Sequence, residues 1–186
     1  MSETIFETCP LAGVILFRPA VHGDARGYFR EISRRDAYAA AGADTDFVQV
    51  NMSWSRPGVL RGMHYQLRHV QAKLVAVASG AIYDVVVDCR RSSPTFGRWA
   101  GFALSAEGGE ELYVPEGFAH GFQVAGREGA AVVYQCNDYY HPGDEGGINW
   151  ASPALGIDWP LRDPILSEKD RALPAFSPDL PFPEPA

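Results

Sequence analysis

The sequence predicts an all-β protein, and three observations indicate it. Glycine and proline are frequent, with 19 and 14 among the 186 residues, and such frequent turn residues favour short strands over long helices. Between residues 47 and 140, apolar runs of about five to eight residues alternate with clusters of Gly, Pro and Ser. The runs follow one another at fairly even spacing, which is typical of a β-sandwich or barrel.

Each element follows from a local signal. A short peripheral helix is predicted within residues 30–41, because Ser33 can cap the turn that begins at Arg34 and Gly42 can end it. Runs rich in Val, Ile, Tyr and Phe predict strands at 47–53, 73–78, 81–88, 99–104, 111–114, 121–125 and 131–137. The five prolines between 174 and 185 predict a tail that covers the domain in extended form or is partly disordered. We therefore predict one domain over 1–186, with a core barrel at about 45–140 and a covering segment at 141–186.

The predicted strand at 81–88 carries two acids on one face. Alternation places Asp84 and Asp88 on the same side as Ile82 and Val86. Acidic groups on a strand usually face solvent. We expect this of Asp88 in particular, because it lies next to a basic turn that begins at Arg90.

Charge and composition exclude several classes of protein. The 16 Lys and Arg against 23 Asp and Glu give a net charge of −7, which leaves no basic excess for a phosphate backbone, so we expect no nucleic-acid partner. Residues 1–10 lack the basic start and apolar run of a signal peptide, and no apolar run is long enough to span a bilayer. We therefore expect a cytoplasmic protein with no membrane partner. Its three widely spaced cysteines, Cys9, Cys89 and Cys136, indicate reduced thiols.

Two segments resemble the paired motifs of cupins, which are double-stranded β-helix (jelly-roll) barrels. Five residues separate Gly58 from His64 in the first, and the second, from Gly109 to His120, contains the expected Pro-x-Gly-x-x-His. A metal-binding cupin places another imidazole two residues after the first and an acid shortly afterwards, but here Gln66 and Gln71 stand at those positions. Because transition metals prefer imidazole and carboxylate ligands over neutral amides, these residues argue against a metal.

His64 and Lys73 suggest a different chemistry. A histidine, with an ordinary pKa of about 6.5, can accept a proton at neutral pH, and a cationic side chain can stabilise a developing oxyanion. Arg61 and Gln66 lie close to both in the sequence. A cluster of polar groups inside a barrel is costly to bury without a ligand or water, so we favour a site over a structural role. The cluster suits proton abstraction beside a carbonyl.

A longer set of segments closely resembles the dTDP-4-dehydrorhamnose 3,5-epimerase family. The segments are Asp-Ala-Arg-Gly-Tyr-Phe at 24–29 with Glu31, Gln-Val-Asn-Met-Ser at 49–53, Gly-Val-Leu-Arg-Gly-Met-His-Tyr-Gln at 58–66, Gln-Ala-Lys-Leu-Val at 71–75, Asp-Val-Val-Val-Asp at 84–88, Pro-Glu-Gly-Phe-Ala-His-Gly-Phe at 115–122 and Ser-Glu-Lys-Asp at 167–170. The resemblance implies an isomerase that uses no metal or organic cofactor. It converts dTDP-4-dehydro-6-deoxy-D-glucose to dTDP-4-dehydro-L-rhamnose by inverting the two carbons beside the ketone.

The resemblance also implies roles for individual residues. His64 is the base, Asp170 orients it and stabilises the imidazolium, and Lys73 stabilises the enolate oxygen. Tyr134, which the strand pattern alone would place in the barrel wall, is the acid that protonates the opposite face. The other matching positions are those that hold the thymidine, diphosphate or sugar in this family: Arg26, Phe29, Glu31, Gln49, Asn51, Arg61, His120, Tyr140, Glu145 and Lys169.

The family resemblance further implies a homodimer, in which the N-terminal segment reaches the neighbouring subunit's site and Arg26 and Glu31 act across the interface. Three alternatives stay open from the sequence. The protein could invert only one carbon in a dTDP-deoxysugar pathway, or bind a sugar nucleotide without catalysis. It could also be an oxygenase that holds a metal on His64 and His120.

Overall fold

Strands dominate the computed structural model, which describes residues 5–43 and 46–183. In chain order the elements are β1 (Ile5–Thr8), β2 (Ile15–Arg18), β3 (Val21–Asp24), β4 (Gly27–Arg30), α1 (Arg35–Ala40), β5 (Gln49–Ser55), β6 (Leu60–Gln66), β7 (Lys73–Ser79), β8 (Ala81–Asp88), β9 (Trp99–Ser105), β10 (Glu111–Val114), β11 (Phe118–Gln123), β12 (Ala130–Cys136), β13 (Glu145–Gly147) and α2 (Glu168–Arg171). The prediction of an all-β fold with short peripheral helices is confirmed.

The strands form two main antiparallel sheets and one hairpin. The six-stranded sheet has the order β1-β2-β10-β7-β12-β5, the five-stranded sheet has the order β13-β6-β11-β8-β9, and β3 and β4 pair only with each other. Buried side chains from both main sheets form one apolar cluster, which includes Leu16, Val75, Val86, Phe118 and Val132. The two sheets therefore face each other across a shared core, as in a jelly roll.

The C-terminal segment covers the outer face of the five-stranded sheet. Trp159 and Phe182 join a second apolar cluster with side chains of β6, β8 and β11. Arg91 holds the proline-rich tail by donating to the backbone carbonyls of Pro178 (2.6 Å) and Leu180 (2.8 Å). The tail has no helix or strand after α2 and contains one turn, closed by a hydrogen bond from the N–H of Leu180 to the carbonyl of Ser177 (3.1 Å), as far as residue 183; the remainder of the predicted tail, 184–186, lies outside the described residues.

Several elements were not predicted from the sequence. Strands β1 and β2 precede the predicted core at about 45–140, and β13 follows it. The hairpin strands β3 and β4 are mostly exposed, so they lack the alternation that marks a half-buried strand. Strand β6 carries Arg61, Gly62 and His64 among its apolar residues, and polar side chains that face a cavity interrupt the apolar pattern.

Two local expectations were wrong. Ser33 does not cap α1, whose N-cap is Arg34 and has no side-chain cap hydrogen bond. Asp88 does not face solvent: it is fully buried and accepts hydrogen bonds from Arg90, Ser93 and Thr95. No helix among residues 5–43 and 46–183 is both long and apolar enough to cross a lipid bilayer.

Candidate active site

The close approach of β6 and β11 brings two histidines together. His64 and His120 are direct partners in the antiparallel pairing of these strands. Gly62 has φ +123°, and a Cβ there would lie 2.6 Å from the Cα of Gly121. Only glycine fits such a contact, because real Cβ atoms do not approach a backbone atom this closely. The two glycines therefore fix the spacing of the strands that carry the histidines.

His64 is hydrogen-bonded to a carboxylate from outside the barrel. Its Nε2 lies 2.5 Å from Oδ1 of Asp170, which is on α2 and only 4% exposed. Ser167 caps α2 by accepting from the backbone N–H of Asp170 at 3.0 Å, which fixes the start of the helix. Burial raises the pKa of Asp170, but the hydrogen bond and charge of His64, together with Ser167 and Lys169, outweigh it, so the pKa is lowered. Asp170 is thus held as a carboxylate beside the imidazole.

A cavity of about 310 Å³ opens in front of this pair. His64 and Arg61 reach it from the five-stranded sheet, whereas Lys73 and Tyr134 reach it from the six-stranded sheet. The other lining residues are Ser53, His120, Gly121, Phe122, Ser167, Lys169 and Asp170. A ligand in the cavity would therefore have the histidine of one sheet and the tyrosine of the other on different sides.

Burial shifts the pKa values of Lys73 and Tyr134, the two titratable residues that the six-stranded sheet contributes to this cavity. It lowers the pKa of Lys73, although Cys136, Asp84 and Glu145 act in the opposite direction. It raises the pKa of Tyr134, with a further increase from Cys136 and a decrease from Arg61. Lys73 thus becomes a more acidic donor, while Tyr134 keeps its proton at neutral pH.

A second histidine–carboxylate pair lies inside the cavity wall. Nε2 of His120 is 2.9 and 3.0 Å from the two carboxylate oxygens of Asp84. Asp84 is fully buried, and burial raises its pKa against the opposing effects of His120 and Lys73. Asp84 lies in one of the segments that resemble the family, but no catalytic or binding role was predicted for it. The available signal was its place on the same strand face as Ile82 and Val86, which both belong to the inter-sheet core.

An adjoining cavity of about 230 Å³ holds four of the ten predicted binding residues. It shares His64, Lys73 and Tyr134 with the first cavity and is also lined by Gln49, Asn51, Tyr140 and Glu145. Nε2 of Gln49 donates to Asn51 at 3.0 Å, and its Oε1 accepts from the backbone N–H of Tyr140 at 2.9 Å. Lys169 and Glu145 form an ion pair at the edge. Arg61 is held by a 2.9 Å hydrogen bond from its Nε to Ser55.

The two glutamines that replace cupin metal ligands have other contacts. Gln66 donates to the carbonyl of His69 at 2.7 Å and accepts from the backbone N–H of His141 at 2.8 Å. Gln71 donates to the carbonyl of Asp138 at 2.9 Å. Both amides therefore tie loops together at the rim of the site.

Three predicted binding residues lie apart from these cavities. Arg26 is at the tip of the β3–β4 hairpin, 90% exposed in its side chain and paired with Asp24. Phe29 is 69% exposed and lines a separate apolar groove, and Glu31 pairs with Arg34 at 3.5 Å. The single chain does not bring these residues to the His64 site.

The geometry agrees with comparisons to known proteins. Residues 8–178 match the family model described as dTDP-4-dehydrorhamnose 3,5-epimerase. The dTDP-4-dehydrorhamnose 3,5-epimerase of Pseudomonas aeruginosa is 51% identical over 166 residues, covering 88% of this chain and 91% of that protein. The protein of the same name from Neisseria gonorrhoeae is 52% identical over 163 residues, which are 87% of this chain but 49% of that longer protein.

A solved structure extends the comparison to the fold. The dTDP-6-deoxy-D-glucose-3,5-epimerase of Legionella pneumophila, crystallised with dTDP-4-keto-L-rhamnose, has a TM-score of 0.91 and 40% identity, and the match covers 98% of this chain and 99% of that one. The two facing sheets and the polar cavity between them define a jelly-roll protein of the cupin class, which confirms the predicted fold class. The chain belongs to the dTDP-4-dehydrorhamnose 3,5-epimerase family, as the sequence predicts.

Proposed function

We propose that the protein is a dTDP-4-dehydrorhamnose 3,5-epimerase, which inverts C3 and C5 of dTDP-4-dehydro-6-deoxy-D-glucose and uses no metal or organic cofactor. One observation carries the proposal. His64 and Tyr134 line one cavity from opposite sheets. A substrate carbon between them can lose a proton on one face and gain one on the other, which is what inversion requires.

The base in this proposal is His64. Its Nε2 is engaged by Asp170 at 2.5 Å, so Nδ1 is the ring nitrogen left to take a proton from the sugar. When the imidazole becomes positively charged, the adjacent carboxylate stabilises it, as in other histidine–aspartate pairs. Both C3 and C5 flank the C4 ketone, so the loss of either proton places negative charge on the ketone oxygen.

Lys73 is the group proposed to receive that negative charge. It is half-buried beside the cavity, and desolvation lowers its pKa. A more acidic ammonium donates a stronger hydrogen bond to an enolate oxygen, and the low dielectric of a closed site increases its effect.

Tyr134 is the proposed acid. Its pKa, raised by burial, keeps the hydroxyl protonated until the enolate forms. Protonation from the six-stranded sheet then completes the inversion that began at the five-stranded sheet. The same pair can act on C3 and C5 in turn if the sugar shifts between the two deprotonations.

The nucleotide part of the substrate is assigned to the cationic and amide side chains around the two cavities. Arg61 and Lys169 suit the diphosphate, since a guanidinium presents paired donors and an ammonium a point charge. Gln49, Asn51, His120, Tyr140 and Glu145 complete the proposed binding set. A net-negative protein would thus present a locally basic site to an anionic ligand.

We also propose a homodimer in which the β3–β4 hairpin brings Arg26, Phe29 and Glu31 to the partner's site. Strand β5 lies at an edge of the six-stranded sheet and exposes Met52 (71%) and Trp54 (60%). Between β5 and the hairpin lies an apolar groove of about 470 Å³. Exposed apolar side chains on an edge strand support coverage by a second copy. The cytoplasmic location stays a prediction from the sequence.

Solvent exchange tests the proposed chemistry. In D₂O the wild-type protein is expected to incorporate deuterium at C3 and C5 of the dTDP-4-keto sugar, with or without a chelator, and His64→Ala is expected to lose exchange at both carbons. Exchange by His64→Ala at the wild-type rate would falsify the mechanism. Proton NMR of the product separates two inversions from one, and tight dTDP binding without exchange would instead indicate a binding protein.

Subunit mixing tests the dimer. His64→Ala and Arg26→Ala are each expected to be nearly inactive, whereas a mixed dimer holds one site with His64 from one subunit and Arg26 from the other. Activity restored on mixing supports a shared site. If both residues act in the same chain, mixing restores nothing.

A further inference from the structure

A second group of metal-ligating side chains lies outside the proposed active site. His69 is in the loop between β6 and β7, and Asp138 and His141 are in the loop that follows β12. One ligand atom from each of the three residues lies within 4.8 Å of the other two. None of the three is among the residues that the sequence predicts to be catalytic or binding.

The backbone beneath the cluster is held by buried side chains. Gln66, which is 5% exposed, bonds the carbonyl of His69 and the N–H of His141. Asp144, which is 2% exposed, accepts from the N–H of His69 at 2.8 Å. None of these bonds uses an imidazole nitrogen. These contacts therefore position the loop backbones without using the ring nitrogens that would bind an ion.

The carboxylate of Asp138 is also oriented toward the histidines. Its Oδ1 accepts from the N–H of Tyr139 at 2.7 Å, while Oδ2 lies 3.4 Å from Nδ1 of His69. That separation is longer than the 2.5 Å and 2.9 Å contacts that His64 and His120 make with their carboxylates. Two ligands bound to one tetrahedral ion at 2.0–2.1 Å are themselves about 3.4 Å apart. The spacing of these two atoms is therefore compatible with a shared cation.

The two imidazole rings constrain how an ion could enter. Their centroids are 3.5 Å apart and their planes differ by 14°. Parallel rings cannot both direct an in-plane lone pair at one ion, so binding requires one ring to turn. The side chain of His69 is 47% exposed and has room to do so. Binding therefore ends the stack, which gives the site a second observable besides the ion itself.

We propose that His69, Asp138 and His141 bind one divalent transition-metal ion at the rim of the active site. Two imidazoles and one carboxylate match the preference of Zn²⁺, Ni²⁺ and Co²⁺, and water would fill the remaining positions. Hard cations such as Mg²⁺ and Ca²⁺ prefer oxygen ligands and are not expected to compete. The site is separate from the metal position of a cupin, which would use His64 and His120.

Titration of the metal-free, full-length protein with Zn²⁺ alone tests the proposal by calorimetry. The expected result is one ion per chain, with affinity at least tenfold weaker in His69→Ala and His141→Ala. His22→Ala is the matched control, since His22 is an exposed histidine on β3 and should leave binding unchanged. Each variant is expected to fold, because the hydrogen bonds that hold the loops use backbone atoms of both histidines. Circular dichroism checks this.

Co²⁺ absorption and a barrel variant locate the ion. Co²⁺ bound to the wild type is expected to give visible d–d bands that disappear in His141→Ala and persist in His64→Ala. Bands lost in His64→Ala but kept in His141→Ala would place the metal in the barrel and overturn the proposal. Unchanged Zn²⁺ affinity in the His69→Ala/His141→Ala double variant would overturn it as well.

Discussion

Replacement of Asp170 by asparagine isolates the contribution of one charge to the proposed base. Asn keeps the size of the side chain, and the cap of α2 survives because Ser167 bonds the backbone N–H of residue 170. The variant loses the charge from a 2.5 Å hydrogen bond to an imidazole at a position that is 4% exposed. Such charge-assisted bonds are worth about 1.5–3 kcal/mol, which corresponds to a rate decrease of about 10- to 150-fold.

Deuterium incorporation at C3 and C5 of the dTDP-4-keto sugar measures that loss. The decrease is expected in kcat with little change in KM, because Asp170 is proposed to act through His64. Glu168→Gln removes an exposed carboxylate from the same helix and serves as the matched control. If Asp170→Asn exchanged at the wild-type rate while folding normally, the proposed function of the dyad would be refuted.

Three further predictions concern stability. Burial raises the pKa of Glu111 from 4.5 to about 7, so the folded state favours the neutral acid. The free energy of unfolding should therefore fall by about 3 kcal/mol as the pH rises from 4.5 to 7. Urea titrations should show a flatter pH dependence of this free energy for Glu111→Gln. Gly121→Ala places a Cβ 2.7 Å from the carbonyl of Arg61 and should cost about 1–3 kcal/mol, seen as a lower Tm. Gly126→Ala should leave the Tm unchanged, because the nearest atom to the new Cβ is the carbonyl oxygen of Glu128 at 4.0 Å. Phe182→Ala should cost about 3 kcal/mol in urea without lowering kcat, because Phe182 packs on the outer face of the five-stranded sheet. An unchanged pH slope for Glu111→Gln, or wild-type stability in either of the other two variants, would contradict the corresponding argument.

The strand at 81–88 shows which features of a strand its sequence pattern can predict. Alternation correctly grouped Ile82 and Val86, which both enter the inter-sheet core. It could not show that Asp84 is buried, because the partner that makes burial tolerable is His120, 36 residues later. The acids of a strand can be assigned to a face from sequence, but their burial depends on partners that only the fold supplies.

The residues of the proposed site could likewise be predicted only in part from the sequence. The short spacing within β6 predicted that Arg61, His64 and Gln66 lie together, and family resemblance added Asp170, which bonds His64 across 106 residues. Neither source predicted that Gln66 would use both ends of its amide to hold the backbone of two loops. Such contacts depend on loop conformation, which leaves no periodic signal in the sequence.

The dyad joins a strand near the middle of the fold to a helix that follows every strand of both sheets. A chain leaving the ribosome can therefore complete both sheets before Asp170 has docked against the proposed base. Such a nascent chain would already hold the part of the cavity that the sheets line and yet lack the carboxylate partner of the proposed base. Under the proposed mechanism, turnover would therefore report the docking of residues 167–171 rather than the assembly of the sheets.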